Sequence, residues 1–399
     1  MCRDQHLKWA WQPRRVCLWL SVWGLSWLCG RCVLAQTSPS PDRTISKAHI
    51  THHVQFLASP DMKGRSGPTG LKAAEYLKQH FQQAGLAPLF DGEFFQPIPG
   101  GPAEQSTELG RNVGGWLPGS DPALRDEFII ISAHYDHLGV RNGRVFPGAD
   151  DNASGVSMML ELARVFAAMP VKPRRSLAFV GFDLEERLLW GSRWFAAHPP
   201  KPLDKLAMFV TADMIGRSLG DLKLPTVFVL GSEHAPQIKQ TLDRISIPDQ
   251  LEVARLGIDL VGTRSDYGPF RDRRIPFLFL STGEHPDYHS VRDVPDRVNY
   301  DKITRVTQLC RRIVADVADS EQRPQWTDEV QPSLEEARAV NRITTLLSEQ
   351  KNEKLTPAQQ LLISFVKTRT QQIIERGKMT SGERTWLTRM SQLLLLSVF

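Results

Sequence analysis

Beyond residue 35 the 399-residue chain holds a single cysteine, Cys310. That part of the chain can therefore form no intrachain disulfide. Cys310 itself sits in the apolar pattern DKITRVTQLCRRIVADVA and reads as a small buried hydrophobe of a helix. Net charge is equally scarce there, because Arg3, Lys8, Arg14, Arg15 and Arg31 against Asp4 carry +4 of the formal +5. A nearly neutral remainder takes away the electrostatic support for a nucleic-acid partner. Internal repeats and long low-complexity segments are absent from the sequence. With 41% hydrophobic and 23% charged residues, the composition is that of a globular protein with one large core and an appendage.

A long apolar run, VCLWLSVWGLSWLCG, follows the basic segment MCRDQHLKWAWQPRR. Val33-Leu34-Ala35 before Gln36 has the small-residue spacing of a signal-peptidase site, so residues 1–35 read as a cleaved export signal. Cleavage leaves no stable membrane insertion; an uncleaved signal would act as an anchor. Residues 36–43, QTSPSPDR, form a polar linker.

From residue 44 two helices are expected, the second being GLKAAEYLKQHFQQAG with Gly85 as its stop. A Pro/Gly-rich connection then runs to about residue 110. Thereafter the short β-rich runs EFIIISAH, RSLAFVGF, LAMFVTAD, PTVFVLG and IPFLFLST alternate with helical stretches such as GVSMMLELARVFAAM. Such alternation predicts an α/β domain over residues 44–320 with a mixed, mostly parallel and buried sheet. Residues 321–399 carry no strand signal and read as a C-terminal helical extension. Ser333 with Glu336 has the spacing of a capping box, Thr356 before Pro357 starts a further helix, and Gly377 stops it. Leu334, Ala337, Val340, Ile343 and Leu347 share one face of the first tail helix; Leu361, Leu362, Phe365 and Val366 line the next. Two or three helices should pack on the main domain or on a partner.

In an open α/β sheet ligands bind beyond the carboxyl ends of the strands. Those ends are rich in ligating groups here: Ala133-His134-Tyr135-Asp136, Asp183-Leu184-Glu185-Glu186, Asp213 and Asp287-Tyr288-His289, with Asp150 and Asp151 in the loop after the first strand. Each has an ordinary reading alone, as a hydrogen-bonded histidine, a helix cap or a first helical turn. Together they would crowd like charges in a partly buried place, at a cost that two divalent cations remove. Two Zn²⁺ would be balanced by three carboxylates and one hydroxide, with His134 and His289 as neutral ligands and one of the paired aspartates bridging the ions. Nitrogen and oxygen donors suit zinc, with Co²⁺ or Mn²⁺ as possible substitutes.

The segments LASPDMKGRSGPTGLKAAEYL, RNVGGWLPGSDP, ISAHYDHLG, PGADDNASGV, FDLEERLLWGS, TADMIGR, TRSDYGPF and DYHSVRD occur in this order up to about residue 318. In these motifs the chain resembles the M28 metallopeptidases, zinc aminopeptidases with two co-catalytic metals. The resemblance implies the phosphorylase/hydrolase-like α/β/α sandwich. It also implies hydrolysis of N-terminal peptide bonds, with peptide or protein N-termini as substrates; the oligomeric state is left open. On the same basis His134 and Asp213 share one metal with Asp151, the bridging ligand, while Glu186 and His289 take the other. Glu185 becomes the general base that takes a proton from a metal-acidified water and delivers it to the leaving amine. Tyr288 supports the tetrahedral oxyanion, Asp136 orients a ligating imidazole, and Asp150 is a loop or cap residue.

Two positions depart from the family pattern, Arg187 after the glutamate pair and Tyr267 in SDYGPF, and both are expected to line the pocket. The stretch from Phe95 to Arg111 is too short for the protease-associated domain that some relatives insert there. The same scaffold also serves carboxypeptidases, single-zinc glutaminyl cyclases and non-catalytic receptor-like or adhesive proteins; retention of all five ligand positions and Glu185 argues against the last.

Overall fold

The computed structural model describes residues 44–100, 108–349 and 355–398, which form a single compact unit. The expected export signal and linker lie outside these residues. Two helices open the described chain, α1 (Lys47–Leu57) and α2 (Pro68–Gln83). Ser46 Oγ accepts from His49 N at 3.3 Å to start α1. Proline occupies the first turn of α2, which ends before Gly85 at φ 76°.

Strands β1 (Ala87–Pro88), β2 (Phe95–Pro99), β3 (Glu108–Leu117) and β4 (Phe128–His134) follow, then a small hairpin of β5 (Val140–Arg141) and β6 (Arg144–Val145). Next come α3 (Gly155–Ala167), β7 (Ser176–Phe182), α4 (Trp190–Ala197), β8 (Leu206–Ala212), β9 (Thr226–Leu230) and α5 (Pro236–Arg244). The remainder is β10 (Glu252–Leu256), α6 (Gly268–Arg271), β11 (Phe277–Ser281), α7 (Tyr300–Asp319), α8 (Leu334–Glu349), α9 (Pro357–Arg376) and α10 (Ser381–Val398). The main sheet has the order β1-β3-β7-β4-β8-β11-β9-β10, with β2 also paired to β3. Its centre, β7-β4-β8-β11, is parallel; β1, β2 and β3 on one side and the β11–β9 pair on the other are antiparallel. Every residue of β4, β7 and β8 is buried, as both-face coverage demands.

Helices α1, α2, α3, α5 and α7 pack on one face around Leu77, Met159, Val210 and Ile313. The other face is covered by α4, α6 and the tail helices around Phe182, Phe209, Phe270 and Val366. This is the expected α/β/α layering. Cys310 is free and fully buried in α7.

Several elements differ from the sequence reading. The connection before residue 110 contains β1, β2 and the start of β3, whose glycines hide the strand signal. Gly115 is there because a Cβ would stand 2.7 Å from Leu86 and 3.1 Å from Phe81, so glycine lets α2 approach the sheet. Strand β10, EVARL, is also unanticipated; pairing only with β9, it is an edge strand that keeps Glu252 and Arg255 on ion pairs.

In the tail, the Ser333–Glu336 capping box does not form. Ser333 Oγ accepts from Glu335 N at 3.2 Å, and the Glu336 carboxylate turns to Gly257 N and Arg384. A true capping box joins Thr356 and Gln359 instead, and Gly377 ends α9 at φ 76°. Of the three tail helices, α8 packs against β10 and α10 against the segment Ile258–Leu260, while α9 packs on α8 and α10. Leu361 and Phe365 point outward, 72% and 53% exposed, because α9 buries Ile363, Val366, Thr370 and Ile373 instead.

Candidate metal centre

The expected site residues come from separate elements that converge at the carboxyl ends of the central strands. His134 closes β4, Glu185 and Glu186 follow β7, and Asp213 follows β8. Asp151 lies in a kinked turn, Ala149–Ser154, where Asp151 (φ −104°, ψ 96°) and Asn152 (φ −127°, ψ 41°) leave helical geometry and share a cis peptide bond. His289 stands in the loop after β11, at φ 50°. Leu184, beside Glu185, and Met214, beside Asp213, also adopt the left-handed conformation, at φ 57° and 58°. Backbone of this kind persists only where surrounding contacts hold it.

His134 Nε2 is 3.3 Å from Asp151 Oδ1 and 3.4 Å from Asp213 Oδ1. Donors ~2.1 Å from one cation and tetrahedrally disposed stand ~3.4 Å apart. These three side chains therefore have the spacing of a metal site. On the other side of Asp151, Oδ2 lies 3.2 Å from His289 Nε2, which is 3.1 Å from Glu186 Oε2.

A third histidine joins this second group. His137 is fully buried, with Nδ1 2.8 Å from Glu186 Oε1 and 3.8 Å from Asp151 Oδ2. His137, Asp151 and Glu186 have the spacing of a second metal group. The sequence reading passed over His137. It lies on the same motif as His134, AHYDH, one residue past Asp136, and only the turn after β4 brings it back to Asp151.

Despite these approaches several buried polar atoms make no hydrogen bond of acceptable geometry: both ring nitrogens of His137, Asp151 Oδ2, Glu186 Oε1 and Asp213 Oδ1. Natural proteins rarely leave such atoms unpaired. Divalent cations between them would take up the carboxylate oxygens and one ring nitrogen of His137, so the side chains present fit a metal.

The surrounding carboxylates reinforce that reading. Burial drives Glu185 well above the ordinary carboxylate range, and Asp213, Asp266 and Asp136 add to it. Burial likewise raises Asp213, and lifts Asp266 to about 7. Burial alone would lower His134, but Glu185, Asp213, Asp136 and Asp151 outweigh it and hold the imidazole well above 6.5. For Asp151 and Glu186 burial is outweighed by histidines, His137 and His289 among them, which bring Glu186 down to about 2.

Around the cluster, a set of hydrogen bonds fixes the backbone. The Asp136 carboxylate accepts from Glu185 N at 3.1 Å and Glu186 N at 3.3 Å, and lies 3.6 Å from His134 Nδ1. It thus holds the glutamate turn as well as facing the imidazole. Asp293, of DYHSVRD, accepts from the amides of Asp150 and Asp151. Arg65, wholly buried, donates to the carbonyls of Leu57, Tyr135, Pro147, Gly148 and Asp151. Asp150 is a loop residue whose Oδ1 accepts from Gly216 N at 2.6 Å, while Oδ2 faces His285.

Tyr288 stacks on His289 with centroids 3.8 Å apart and faces a cavity that Asp151, Glu185 and Asp213 also line. Neither Arg187 nor Tyr267 lines it. Arg187 is exposed, and Tyr267 is buried against Phe277, its hydroxyl accepting from Arg264 N and donating to Gly262 O. It pins the loop beside the cavity from behind.

The chain is similar to several known proteins. Aminopeptidase YwaD of Bacillus subtilis is 26% identical over 213 residues, 50% of this chain and 43% of that protein. A glutaminyl-peptide cyclotransferase of Boiga dendrophila is 27% identical over 228 residues, 47% of this chain and 61% of its own. The chain spans about half the length of the curated relatives it matches. Among solved structures, the LapA aminopeptidase of Legionella pneumophila superposes with a TM-score of 0.55 at 22% identity, covering 70% of this chain and 72% of that one. Glutaminyl cyclase of Porphyromonas gingivalis gives 0.55 at 19% identity, covering 68% and 98%. These likenesses show the phosphorylase/hydrolase-like fold. Residues 112–314 match the family described as Peptidase family M28, a span that holds every one of the converging side chains, and the chain belongs to that family.

Proposed function

We propose that the protein is an exported, zinc-dependent aminopeptidase that hydrolyses the first peptide bond of substrates with a free N-terminus. The observation that carries this reading is the pair of donor groups meeting at Asp151, with buried donor atoms otherwise unpaired. His134 and Asp213 would hold one ion with Asp151 between; Glu186 and His289 would hold the other, with His137 as a further donor. Bound there, two Zn²⁺ would supply Lewis acidity toward the scissile carbonyl and toward water.

Glu185 belongs to neither donor group and lines the cavity, which suits a base that takes a proton from water and gives it to the departing amine. Tyr288, half-exposed at the cavity wall, is placed to donate a hydrogen bond to developing negative charge. The carboxylates around Glu185 would attract a substrate ammonium, which favours free N-termini over blocked ones. Export rests on the first 35 residues of the sequence. No helix among the described residues is long and apolar enough to cross a membrane.

The purified chain, stripped with chelator and reloaded with zinc, should cleave peptides with free N-termini and spare their N-acetylated counterparts. Metal analysis should find two ions per chain, and Glu185→Gln should abolish turnover. One zinc per chain with cyclisation of N-terminal glutamine would instead establish a cyclase, as two of the relatives' names suggest. No turnover of a broad peptide panel with two ions bound would favour a receptor-like protein or a substrate chemistry other than peptide hydrolysis.

A further inference from the structure

The cavity that begins at the carboxylate cluster does not end there. Its volume is about 480 Å³, and Asp151, Glu185 and Asp213 occupy only one end. Away from them the lining becomes apolar, with Phe228 and Leu230 of β9 and Phe279 of β11 on the sheet side. The opposite side is made by the tail: Ile343 and Leu347 of α8, and Leu394 and Leu395 of α10. These helices lie outside residues 112–314, so this wall is a feature of this chain and not of the matched family segment.

Size and polarity together define what the cavity takes. An apolar cavity of ~150 Å³ is filled by one benzene ring, so this one holds roughly three times that volume. A leucine or phenylalanine side chain would leave most of it empty, forfeiting dispersion contacts along the wall. Of the two polar tail side chains in the lining, Thr344 Oγ donates to its own helix, at Val340 O and Asn341 O, and Ser391 Oγ is the one hydroxyl there without a hydrogen-bond partner. The charged pair at the edge, Arg264 and Glu284, is exposed and 3.5 Å apart. A long uncharged chain is the occupant that such a lining solvates best.

We propose that α8 and α10 form the far wall of the substrate pocket, and that the preferred substrate places there an apolar chain longer than any aliphatic protein side chain, beside the bond to be hydrolysed. This rests on reading the carboxylate cluster as the reacting centre. Continuity of the cavity from Glu185 to Leu395 puts the chain and the scissile bond in one space.

The test is a homologous series of p-nitroanilides, of alanine, leucine and 2-aminodecanoic acid, assayed on the zinc-loaded full chain. Each methylene buried adds ~4-fold to kcat/KM. A rise of at least a hundredfold from the alanyl to the aminodecanoyl substrate is expected. Ile343→Trp and, separately, Leu395→Trp should lower the ratio of aminodecanoyl to alanyl kcat/KM at least tenfold; both positions are only partly buried and tolerate larger side chains better than Leu347. A flat or falling series with efficient alanyl hydrolysis would overturn the proposal while leaving the aminopeptidase reading intact.

If no aminoacyl substrate turns over, calorimetric titration with propylamine, hexylamine and octylamine separates the two readings. Affinity that climbs with chain length and is lost in Ile343→Trp would uphold the pocket and sink the peptidase activity. Affinity independent of chain length would overturn the pocket.

Discussion

Two groups of buried charge in this molecule are satisfied in opposite ways. In the tail, Glu336 accepts from Gly257 N at 3.1 Å and from Arg384 Nε at 3.0 Å, and Arg384 also binds Asp259. At the sheet edge, Asp151, Glu186 and Asp213 face histidines with donor atoms unpaired, and Arg65, the cation beneath them, donates only to backbone carbonyls. In the tail the carboxylate is answered by a side chain of opposite sign. At the strand ends, on the function proposed above, the carboxylates are left for an ion that the chain does not encode.

Removing the proposed base at the strand ends should have the largest effect. Glu185→Gln is expected to lower kcat by ~10²- to 10⁴-fold while zinc content stays constant, measured by steady-state kinetics alongside metal analysis. A loss of zinc in that variant would make Glu185 a ligand and blur the division between base and donors.

Stripping the ions tests the same cluster by stability. A metal at ~1,000 times its dissociation constant stabilises the fold by about 4 kcal/mol, so chelation should lower Tm and zinc should restore it. An unchanged Tm would show that the unpaired donors are tolerated without a cation.

The tail network should break more gently. Glu336→Ala leaves the half-buried Arg384 without its main partner and should cost about 3 kcal/mol, read from denaturant unfolding. Limited proteolysis should then cut the tail before the main domain. Because α8 and α10 wall the cavity, cleavage of large apolar substrates should fall with it.

The smallest effect lies far from both groups, where His53 of α1 sits between Tyr76 and His80. Burial, helped by His80 and His52, holds His53 well below its ordinary value of 6.5. The unfolded chain then takes up the proton first as pH falls. Stability contributed by neutral His53 is complete above pH 6.5 and is lost as pH drops below it. His80 is lowered in the same direction, so His53→Gln should reduce the slope of unfolding free energy between pH 7 and 5 without abolishing it.

Much of this was legible in the linear sequence for identifiable reasons. The runs FIIISAH, SLAFVGF and LAMFVTA are continuous and apolar because their strands are covered on both faces, and such runs announce themselves without context. Residues at strand ends, His134, Glu185, Glu186 and Asp213, inherit their common location from that pattern. Thr356-Pro357 and Gly377 mark α9 because capping is local chemistry.

What escaped depends on neighbours distant in the chain. Ser333 and Glu336 had the right spacing, but Arg384, 48 residues later, drew the carboxylate away from the cap. Phe365 and Leu361 shared the apolar pattern of α9, and packing selected the Ile363, Val366 and Ile373 side of the helix. His137 gained its place at Asp151 through the turn after β4, and Tyr267 went into the core where a pocket position was expected. The sequence by itself determined the α/β layering and the chemistry at the strand ends, since both follow from local pattern and the topology rule for open sheets. Tertiary structure alone decided that the tail would wall an apolar space beside that edge, because a cavity is defined by surfaces from remote segments that meet only when the chain has folded.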